Sequence, residues 1–359
     1  MNYLLQNRLR VIISVLFLLL MACNQGTTQS AAVKLLPPSN GKIYFSAFPD
    51  FGGTEDIVSK DRIDDFHALS KKKMVWASFS QNWFLGMEYP EQAIHAIHEA
   101  GVIPYVRFMP RSHFNEFEKE PVYNLQNIIN GNFDDALHQW AKAARADNIP
   151  LIIDFAVEMN GNWFSWSGAL NGAGTKDGYG NKNCYDGAER YRDAYRHIID
   201  IFRSESVNHV TWFFHPDITS NPQKEWNKPK YYYPGDDYID WIGISIYGPI
   251  HPEENYWENF SEKLQESYKD IAAISSQKPF AVVEFGVTDH HSLGSKTDWL
   301  KDAFNTILSG KYLEFKAINY WHENWDNNGS ISSLRIDSSL ETLNTFQKLI
   351  NNPRFISKD

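Results

Sequence analysis

The sequence is poor in cysteine and in positive charge, and it lacks several common functional motifs. Its 359 residues include 2 cysteines, Cys23 and Cys184, which cannot form a disulfide framework. Lys and Arg number 34 against 44 Asp and Glu, so the net charge is −10 and a nucleic-acid partner is not expected. No Gly-x-Gly-x-x-Gly or Gly-Lys-Ser/Thr loop follows a candidate strand, and no Gly-x-Ser-x-Gly elbow occurs. These absences disfavour nucleotide-binding open sheets and serine hydrolases.

The first 22 residues have the pattern of an export signal. Arg8 and Arg10 precede an apolar run from Val11 to Leu20, which is too short to span a bilayer comfortably. Leu20-Met21-Ala22-Cys23 follows and resembles the bacterial lipoprotein signal, in which the cysteine becomes the lipidated N-terminus. An ordinary signal peptide with a chance cysteine is the alternative. We therefore predict a signal peptide over 1–22 and a polar tether over 23–40.

Residues 41–359 are predicted to form one (β/α)8 barrel. Short apolar runs alternate with helical patterns, as expected of a parallel sheet with crossover helices. Most of these runs are continuously apolar, as in strands that are covered on both faces. A barrel of this kind needs about 250 residues, so the length demands no second domain. The eight candidate strands are Lys42–Ala47, Met74–Phe79, Ile103–Phe108, Leu151–Ala156, Val210–Phe214, Trp241–Ile246, Phe280–Val283 and Phe315–Tyr320.

Two glutamates lie at the ends of apolar runs. Glu158 follows the fourth candidate strand and Glu284 follows the seventh. In a (β/α)8 barrel the carboxyl ends of the strands form the face that carries active sites. Two carboxylates from different strands are what glycoside hydrolysis needs. The alternative is a structural role, in which each glutamate forms an ion pair with a neighbouring cation such as Arg107.

Other strand ends would add amide, guanidinium and aromatic groups to the same rim. Aromatic residues make up 15% of the chain, including 12 Trp and 18 Tyr, which suits a binder of sugars. The expected rim consists of Phe48, Gln81, Trp83, Arg107, Glu158, Asn160, Trp163, His215, Tyr247, Glu284, Trp321 and His322. Among these, we favour Arg107 as the group that orients one of the two glutamates.

The segment after the fourth strand carries the most specific resemblance. Glu158-Met-Asn-Gly-Asn-Trp163-Phe-Ser-Trp166 resembles the Glu-Met-Asn-Gly-x-Trp-x-x-Trp signature of glycoside hydrolase family 26. That family includes β-mannanases, mixed-linkage β-glucanases and β-1,3-xylanases. Further similar segments occur in the expected order around His215, before Tyr247, at Glu284 and at Trp321. The resemblance covers roughly residues 41 to 350.

The resemblance implies roles for individual residues. Glu158 would be the general acid/base and Glu284 the nucleophile of a retaining double displacement. Tyr247 would donate a hydrogen bond to Glu284 and help to keep its pKa low, since the nucleophile must be ionised. Trp321 would form the floor under the reacting sugar. Trp163, Trp166, Asn160, His215 and Arg107 complete the expected substrate-binding set.

The chain departs from the mannanase pattern at one position. Mannanases of this family usually have a His directly before the acid/base, whereas this chain has Val157. Either Asn160 or His215 takes over that role, or the glycan is not mannan. The expectation is therefore a retaining endo-β-glycanase for β-1,4-mannan or mixed-linkage β-glucan. The alternatives are the same chemistry on β-1,3-xylan or an exopolysaccharide, and a glycan-binding lipoprotein without turnover.

The remaining expectations concern partners and location. A polysaccharide or oligosaccharide is the expected substrate, and no cofactor or metal is needed for this chemistry. We expect a monomer that meets the membrane only through a lipid on Cys23. That anchor would hold it in the bacterial cell envelope, on the periplasmic face of the outer membrane or at the cell surface.

Overall fold

The computed structural model describes residues 32–53, 55–114, 116–327 and 329–357. The export signal and Cys23 lie outside these residues. Among the described residues, no helix is long and apolar enough to cross a membrane.

Eight parallel strands of the described chain close into a barrel, which confirms the predicted fold class. Each strand pairs with the next along the chain, and β1 pairs with β8 to close the ring, with Ser46 opposite Asn319. A short strand, β11 Phe355–Ile356, also pairs with the beginning of β1, where Phe355 lies opposite Ile43. The barrel strands are β1 Ile43–Phe48, β2 Trp76–Asn82, β3 Ile103–Met109, β4 Leu151–Phe155, β5 Val210–Phe214, β6 Trp241–Tyr247, β7 Phe280–Gly286 and β8 Phe315–Trp321.

All eight predicted strands are present, but β7 is longer than predicted. It continues to Gly286, so Glu284 lies inside the strand rather than after it. Almost every barrel residue is buried, because one face of each strand packs inside the barrel and the other packs against helices. The inner layer includes Trp76, Tyr105 and Phe213, which fill the barrel as a packed core.

Helices of the described chain surround the barrel. They are α1 Lys60–Ser70, α2 Glu91–Glu99, α3 Leu125–Ile129, α4 Asp134–Asp147, α5 Asp186–Ser204, α6 Phe260–Ala272, α7 Lys296–Ser309 and α8 Leu340–Ile350. The sequence pattern predicts helices over 57–70, 91–100, 134–147, 187–204, 262–276, 297–308 and 340–351, so most agree to within a few residues, but α3 was not predicted. The same pattern predicts helix ends at Asn148 and Gly310, and both adopt the left-handed conformation that stops α4 and α7.

An antiparallel hairpin follows β8 and was not predicted either. Its strands are β9 Asn324–Asn327 and β10 Ser330–Ser333. The buried Lys296 at the start of α7 donates hydrogen bonds to the carbonyls of Ser333 and Arg335, at 2.6 and 2.8 Å. These bonds attach the end of the hairpin to a barrel helix.

The polar tether ends earlier than predicted. Leu35 is buried in the inner core, its N–H donates to Thr211 Oγ1 at 2.7 Å, and its carbonyl accepts from Trp241 Nε1 at 3.0 Å. Lys34 pairs with Asp240 at 2.8 Å. Thr211 and Trp241 lie at the beginnings of β5 and β6, so the segment from residue 33 closes the N-terminal end of the barrel. It belongs to the folded domain because Leu35 supplies apolar surface that the barrel buries.

Candidate active site

The carboxyl ends of the strands surround an open cleft of about 1450 Å³. Six of the residues expected at the rim line it: Arg107, Glu158, Trp163, Tyr247, Glu284 and Trp321. They come from β3, β6, β7 and β8 and from the turn that follows β4. Because parallel strands end on the same face, side chains that are far apart in sequence meet here.

Glu284 is held by two neighbouring side chains. The Tyr247 hydroxyl donates to Glu284 Oε2 at 2.9 Å. Arg107 Nη2 lies 3.0 Å from Glu284 Oε1, close enough for an ion pair but not aligned as a hydrogen bond. Arg107 also contacts Glu55 Oε2 through Nη1 at 2.9 Å. One buried guanidinium therefore bridges two carboxylates, which supports the expectation that Arg107 orients a glutamate rather than the sugar.

The carboxyl group of Glu284 is harder to ionise than expected. Burial raises its pKa to about 7, although the positive charge of Arg107 acts in the opposite direction. The negative charge of Glu158 raises the pKa further. From the sequence, the hydrogen bond from Tyr247 is expected to keep this pKa low. Burial outweighs that effect, since only 6% of the residue is exposed.

Glu158 lies on a backbone turn directly after β4. Both Ala156 and Glu158 have positive φ angles, 52° and 55°, in the left-handed region that residues with a Cβ rarely adopt. The Glu158 N–H donates to the carbonyl of His215 at 2.7 Å, which holds the turn against β5. The Trp163 indole donates to Glu158 Oε2 at 2.9 Å. Such local strain is found where a site requires one particular side-chain direction.

Three expected substrate contacts lie beneath the cleft instead of in it. His215 is 1% exposed and is engaged at both nitrogens, by Asp154 Oδ2 and Ser245 Oγ, each at 2.8 Å. Asn160 is fully buried and binds the main chain of Asp217. The Trp166 indole is 1% exposed and donates to the Val157 carbonyl at 2.7 Å. These side chains position the turn that carries Glu158, and neither Asn160 nor His215 lines the cleft.

Trp321 lines the cleft but is 1% exposed. Phe48 stacks on its ring with centroids 4.2 Å apart and planes 5° from parallel. The Arg107 guanidinium lies over the same ring at 5.0 Å. The predicted floor is therefore present at the expected strand end, but its faces are largely occupied by protein groups.

Sequence reasoning missed many of the residues that line the cleft. Four of them bear on the chemistry: Glu55, Asp217, Glu323 and Trp325, which follow β1, β5 and β8 along the chain. The predicted rim ended one or two residues beyond the first, fifth and eighth predicted strands. A rim that extended up to eight residues beyond each of these strands would have included all four. Burial and the negative charge of Glu158 hold the pKa of Asp217 well above its usual range.

Negative charge dominates the cleft. The acidic residues that line it are Glu55, Asp56, Glu116, Glu158, Asp217, Glu254, Glu284, Glu323 and Asp326. The basic ones are Arg107, Arg111 and Lys263. Within the described residues, no cluster of three His, Cys, Asp or Glu side chains has a geometry that could hold a metal ion. The cleft thus offers carboxylates for acid–base chemistry and disfavours an anionic ligand.

Comparison with known proteins identifies the family. The family model for glycosyl hydrolase family 26 matches residues 116–296, half of the chain, including both glutamates. The protein belongs to glycosyl hydrolase family 26. This family assignment agrees with the resemblance found in the motif that begins at Glu158.

The similar proteins of known name are distant in sequence. Endoglucanase H of Acetivibrio thermocellus is 26% identical over 296 residues, which is 81% of this chain and 29% of the relative. Mannan endo-1,4-beta-mannosidase A and B of Caldalkalibacillus mannanilyticus is 24% identical over 249 residues, 66% of this chain and 42% of the relative. This family 26 chain therefore spans less than half the length of either protein.

A solved mannanase of Bacillus subtilis shares the fold. It superposes with a TM-score of 0.57 at 17% identity, covering 89% of this chain and 88% of the mannanase. At that identity the likeness supports the barrel architecture and not a substrate.

Proposed function

We propose that this family 26 protein is a retaining endo-β-glycanase. The observation that carries the proposal is the placement of Glu158 and Glu284 in one cleft, with Arg107 and Tyr247 both holding Glu284. A carboxylate aimed by a cation and a hydroxyl is suited to attack, while a second carboxyl group from another strand is free to transfer a proton.

In the first step, an oxygen of ionised Glu284 attacks the anomeric carbon. The bond from that carbon to the glycosidic oxygen breaks, and protonated Glu158 gives its proton to the departing oxygen. Glu284 is then joined covalently to the sugar. The Tyr247 hydroxyl stays protonated, because burial and the charge of Glu284 hold its pKa well above the usual range, so it remains a donor to the nucleophile.

In the second step, Glu158 acts as a base. It takes a proton from water, and the water oxygen attacks the anomeric carbon and releases Glu284 as a carboxylate. Each displacement inverts the anomeric carbon, so the product retains the β configuration. Trp163, whose indole donates to Glu158 Oε2, fixes the direction of the acid/base through both steps.

The cleft suits a neutral polymer. Its volume of about 1450 Å³ exceeds the roughly 300–1,000 Å³ typical of small-molecule pockets. Aromatic residues such as Phe114, Trp163, Phe164, Tyr256 and Trp325 are distributed along it and could stack on several sugar rings. The excess of carboxylates would repel uronic acids and sulfated sugars.

Of the two expected polymers, we favour β-glucan over β-mannan. The match to Endoglucanase H covers 81% of this chain, against 66% for the mannan endo-1,4-beta-mannosidase. The histidine usual before the acid/base of mannanases is absent, and Val157 in its place is fully buried. Mixed-linkage β-glucan is therefore the first substrate to test.

The proposal is tested by incubating residues 24–359 with mixed-linkage β-glucan, glucomannan, galactomannan and β-1,3-xylan. We expect release of reducing ends from a β-glucan, with viscosity falling early because internal bonds are cut. The Glu284→Ala variant should release none. If the folded protein binds a polymer but cleaves none of the four, the proposal fails and a glycan-binding function replaces it.

We also propose that Cys23 is lipidated and anchors the domain in the cell envelope. The support is the position of Cys23 directly after the apolar run and Ala22. Expressed with its leader in a bacterium, the protein should fractionate with membranes and partition into detergent. Cys23→Ser should abolish both behaviours. Equal partitioning of the two proteins would refute lipidation.

A further inference from the structure

The hairpin that follows β8 places a second tryptophan in the cleft. Trp325 lies on β9 and is half-buried, whereas Trp321 is almost completely enclosed by Phe48 and Arg107. The Trp325 ring lies 6.0 Å from that of Tyr247, which donates to Glu284. Trp325 is therefore the more accessible of the two indoles near Glu284.

Both indoles are tied to the same carboxyl group. Glu323 Oε2 accepts from Trp325 Nε1 at 2.7 Å and from Trp321 Nε1 at 3.1 Å. The Glu323 main chain is fixed as well, since its carbonyl accepts from the Leu334 N–H at 3.1 Å. Glu323 is only 2% exposed, so water does not compete strongly for these bonds.

Among the described residues, Glu323 forms no ion pair with a Lys, Arg or His side chain. Burial, with a contribution from the charge of Glu55, raises the pKa of Glu323 to about 8. Near neutral pH the carboxyl group of Glu323 is therefore largely protonated. Its oxygen Oε2 accepts both indole N–H groups. Two hydrogen bonds on one buried oxygen restrict the tilt of both rings.

We infer that Trp325 is the stacking platform for a pyranose ring bound beside Glu284, and that Glu323 is the positioning residue that sets the angle of this platform. The inference rests on the proposed glycanase function only for the choice of ligand, which is a neutral β-linked oligosaccharide. A pyranose presents C–H groups on its faces, and these pack against an indole in the way that apolar groups do.

The platform is tested by binding, in a protein that cannot turn over its ligand. Glu284→Gln would be titrated with the oligosaccharides of β-glucan and of mannan by calorimetry. Adding Trp325→Ala should weaken the binding of at least one of them about tenfold, the loss of one ring contact. In the active protein, the same substitution should raise KM by a similar factor and change kcat little.

A matched control lies on the same hairpin. Ile331 on β10 pairs with Asp326, is 45% exposed and does not line the cleft. Ile331→Ala should leave affinity and KM at the parent values. If Ile331→Ala weakens binding as much as Trp325→Ala, the effect belongs to hairpin stability and the inference is overturned.

Glu323 is tested by rescue with a neutral isostere. Glu323→Gln keeps a carbonyl oxygen for the two indoles and should bind within about twofold of the parent. Glu323→Leu removes the acceptor and should weaken binding nearly as much as Trp325→Ala. In a Trp325→Ala background, Glu323→Leu should cost little more. The positioning role would be overturned if Glu323→Gln and Glu323→Leu weakened binding equally. It would also be overturned if Glu323→Leu weakened binding as much in the Trp325→Ala background as in the parent.

Binding and turnover separate this inference from the proposed function. A protein that binds oligosaccharides through Trp325 but cleaves none would sustain the inference and refute the glycanase. If the protein cleaves a polymer, and Trp325→Ala leaves KM and affinity unchanged, the glycanase function would be sustained and the inference about Trp325 refuted. A folded protein that neither binds nor cleaves would overturn both.

Discussion

Glu284 is buried beside a guanidinium, and these two features act on its carboxyl group in opposite directions. Arg107 favours the ionised form through an ion pair at 3.0 Å, whereas burial favours the protonated form. Burial dominates and raises the pKa to about 7. Because the proposed nucleophile must be ionised, this balance controls the pH at which the site can work.

The first prediction at this scale concerns activity. In the parent, kcat/KM should rise with pH through an acidic limb near 7, where Glu284 loses its proton. Arg107→Met removes the positive charge that favours ionisation, so its limb should move to higher pH and its kcat/KM at pH 6 should fall. Initial rates on the best polymer between pH 4 and 9 measure both curves. An unchanged limb in the variant would contradict this account.

The second prediction concerns stability. The unfolded chain ionises this carboxyl near its ordinary value of 4.5, while the folded protein keeps the proton until about 7. Between those values the free energy of unfolding should therefore fall as pH rises, by about 3 kcal/mol from this group. Glu284→Gln removes the group, so its advantage over the parent should grow across this pH range. Denaturant unfolding of both proteins at pH 4.5, 6 and 7.5 measures this difference. If the free energies of unfolding of parent and variant changed in parallel with pH, the prediction would be contradicted.

Sequence reasoning found the two glutamates, Arg107 and Tyr247 because each lies at or near the carboxyl end of a strand, where position alone predicts exposure to the cleft. It misplaced His215 for the same reason. A histidine directly after a strand is expected to be free to contact the substrate. The two ring nitrogens of His215, however, form hydrogen bonds with Asp154 and Ser245, which lie on neighbouring strands. Such lateral pairing depends on register, which the sequence alone does not specify.

At the scale of elements, the turn after β4 and the loop after β5 are held together by Asn160. Its amide group accepts from the Asp217 N–H at 2.9 Å and donates to the Asp217 carbonyl at 2.9 Å and Ser220 Oγ at 3.1 Å. The Asn160 carbonyl also accepts from Asn227 Nδ2 at 2.7 Å. One side chain and its main chain thus connect the segment of Glu158 to the loop that follows the neighbouring strand β5.

The third prediction follows from that connection. Asn160→Ala should lower the free energy of unfolding by about 3 kcal/mol, because buried donors and acceptors lose their partners. It should also reduce kcat, since the turn that carries Glu158 loses its support. Urea unfolding and steady-state kinetics measure the two effects. Asn183→Ala, at an exposed position, is the matched control and should change neither; similar losses in the control would contradict the prediction.

The barrel strands could be predicted because they are long, apolar and buried on both faces. The hairpin of β9 and β10 could not be predicted. Its strands are short and mostly polar, and contacts with distant parts of the chain stabilise it. Lys296 holds its end from α7, and Ser330 donates to Glu253 across the rim. Those tertiary contacts stabilise strands in a segment whose own sequence has only a weak preference for the β conformation. Because the hairpin was not predicted, Trp325, which it brings into the cleft, was missed as well.

At the scale of the whole molecule, Leu35 acts as part of the core although it lies before the predicted start of the barrel domain. Leu35 is 8% exposed, while the adjacent Leu36 is 73% exposed. The buried leucine satisfies Thr211 and Trp241 through its main chain as well as filling apolar space. The boundary of the stable domain therefore lies before residue 33 and not at residue 41, where hydrophobic periodicity placed it.

The fourth prediction tests this boundary. A protein that begins at Gly41 should have a lower free energy of unfolding than one that begins at Ala32, by about 3 kcal/mol. Leu35→Ala in the longer protein should reproduce much of the loss, and Leu36→Ala should reproduce none. Guanidinium unfolding compares the four proteins. Equal stability of the two lengths would show that the segment only rests on the barrel.

The position of Leu35 also determines how the molecule can be attached to a surface. Leu35 closes the end of the barrel opposite the cleft, and β11, Phe355–Ile356, pairs with the beginning of β1 at that same end. Both ends of the described domain therefore leave from the side away from the opening. A bead or a fused partner joined directly at residue 33 or residue 357 would therefore lie away from the cleft, which would stay open to a long insoluble polymer.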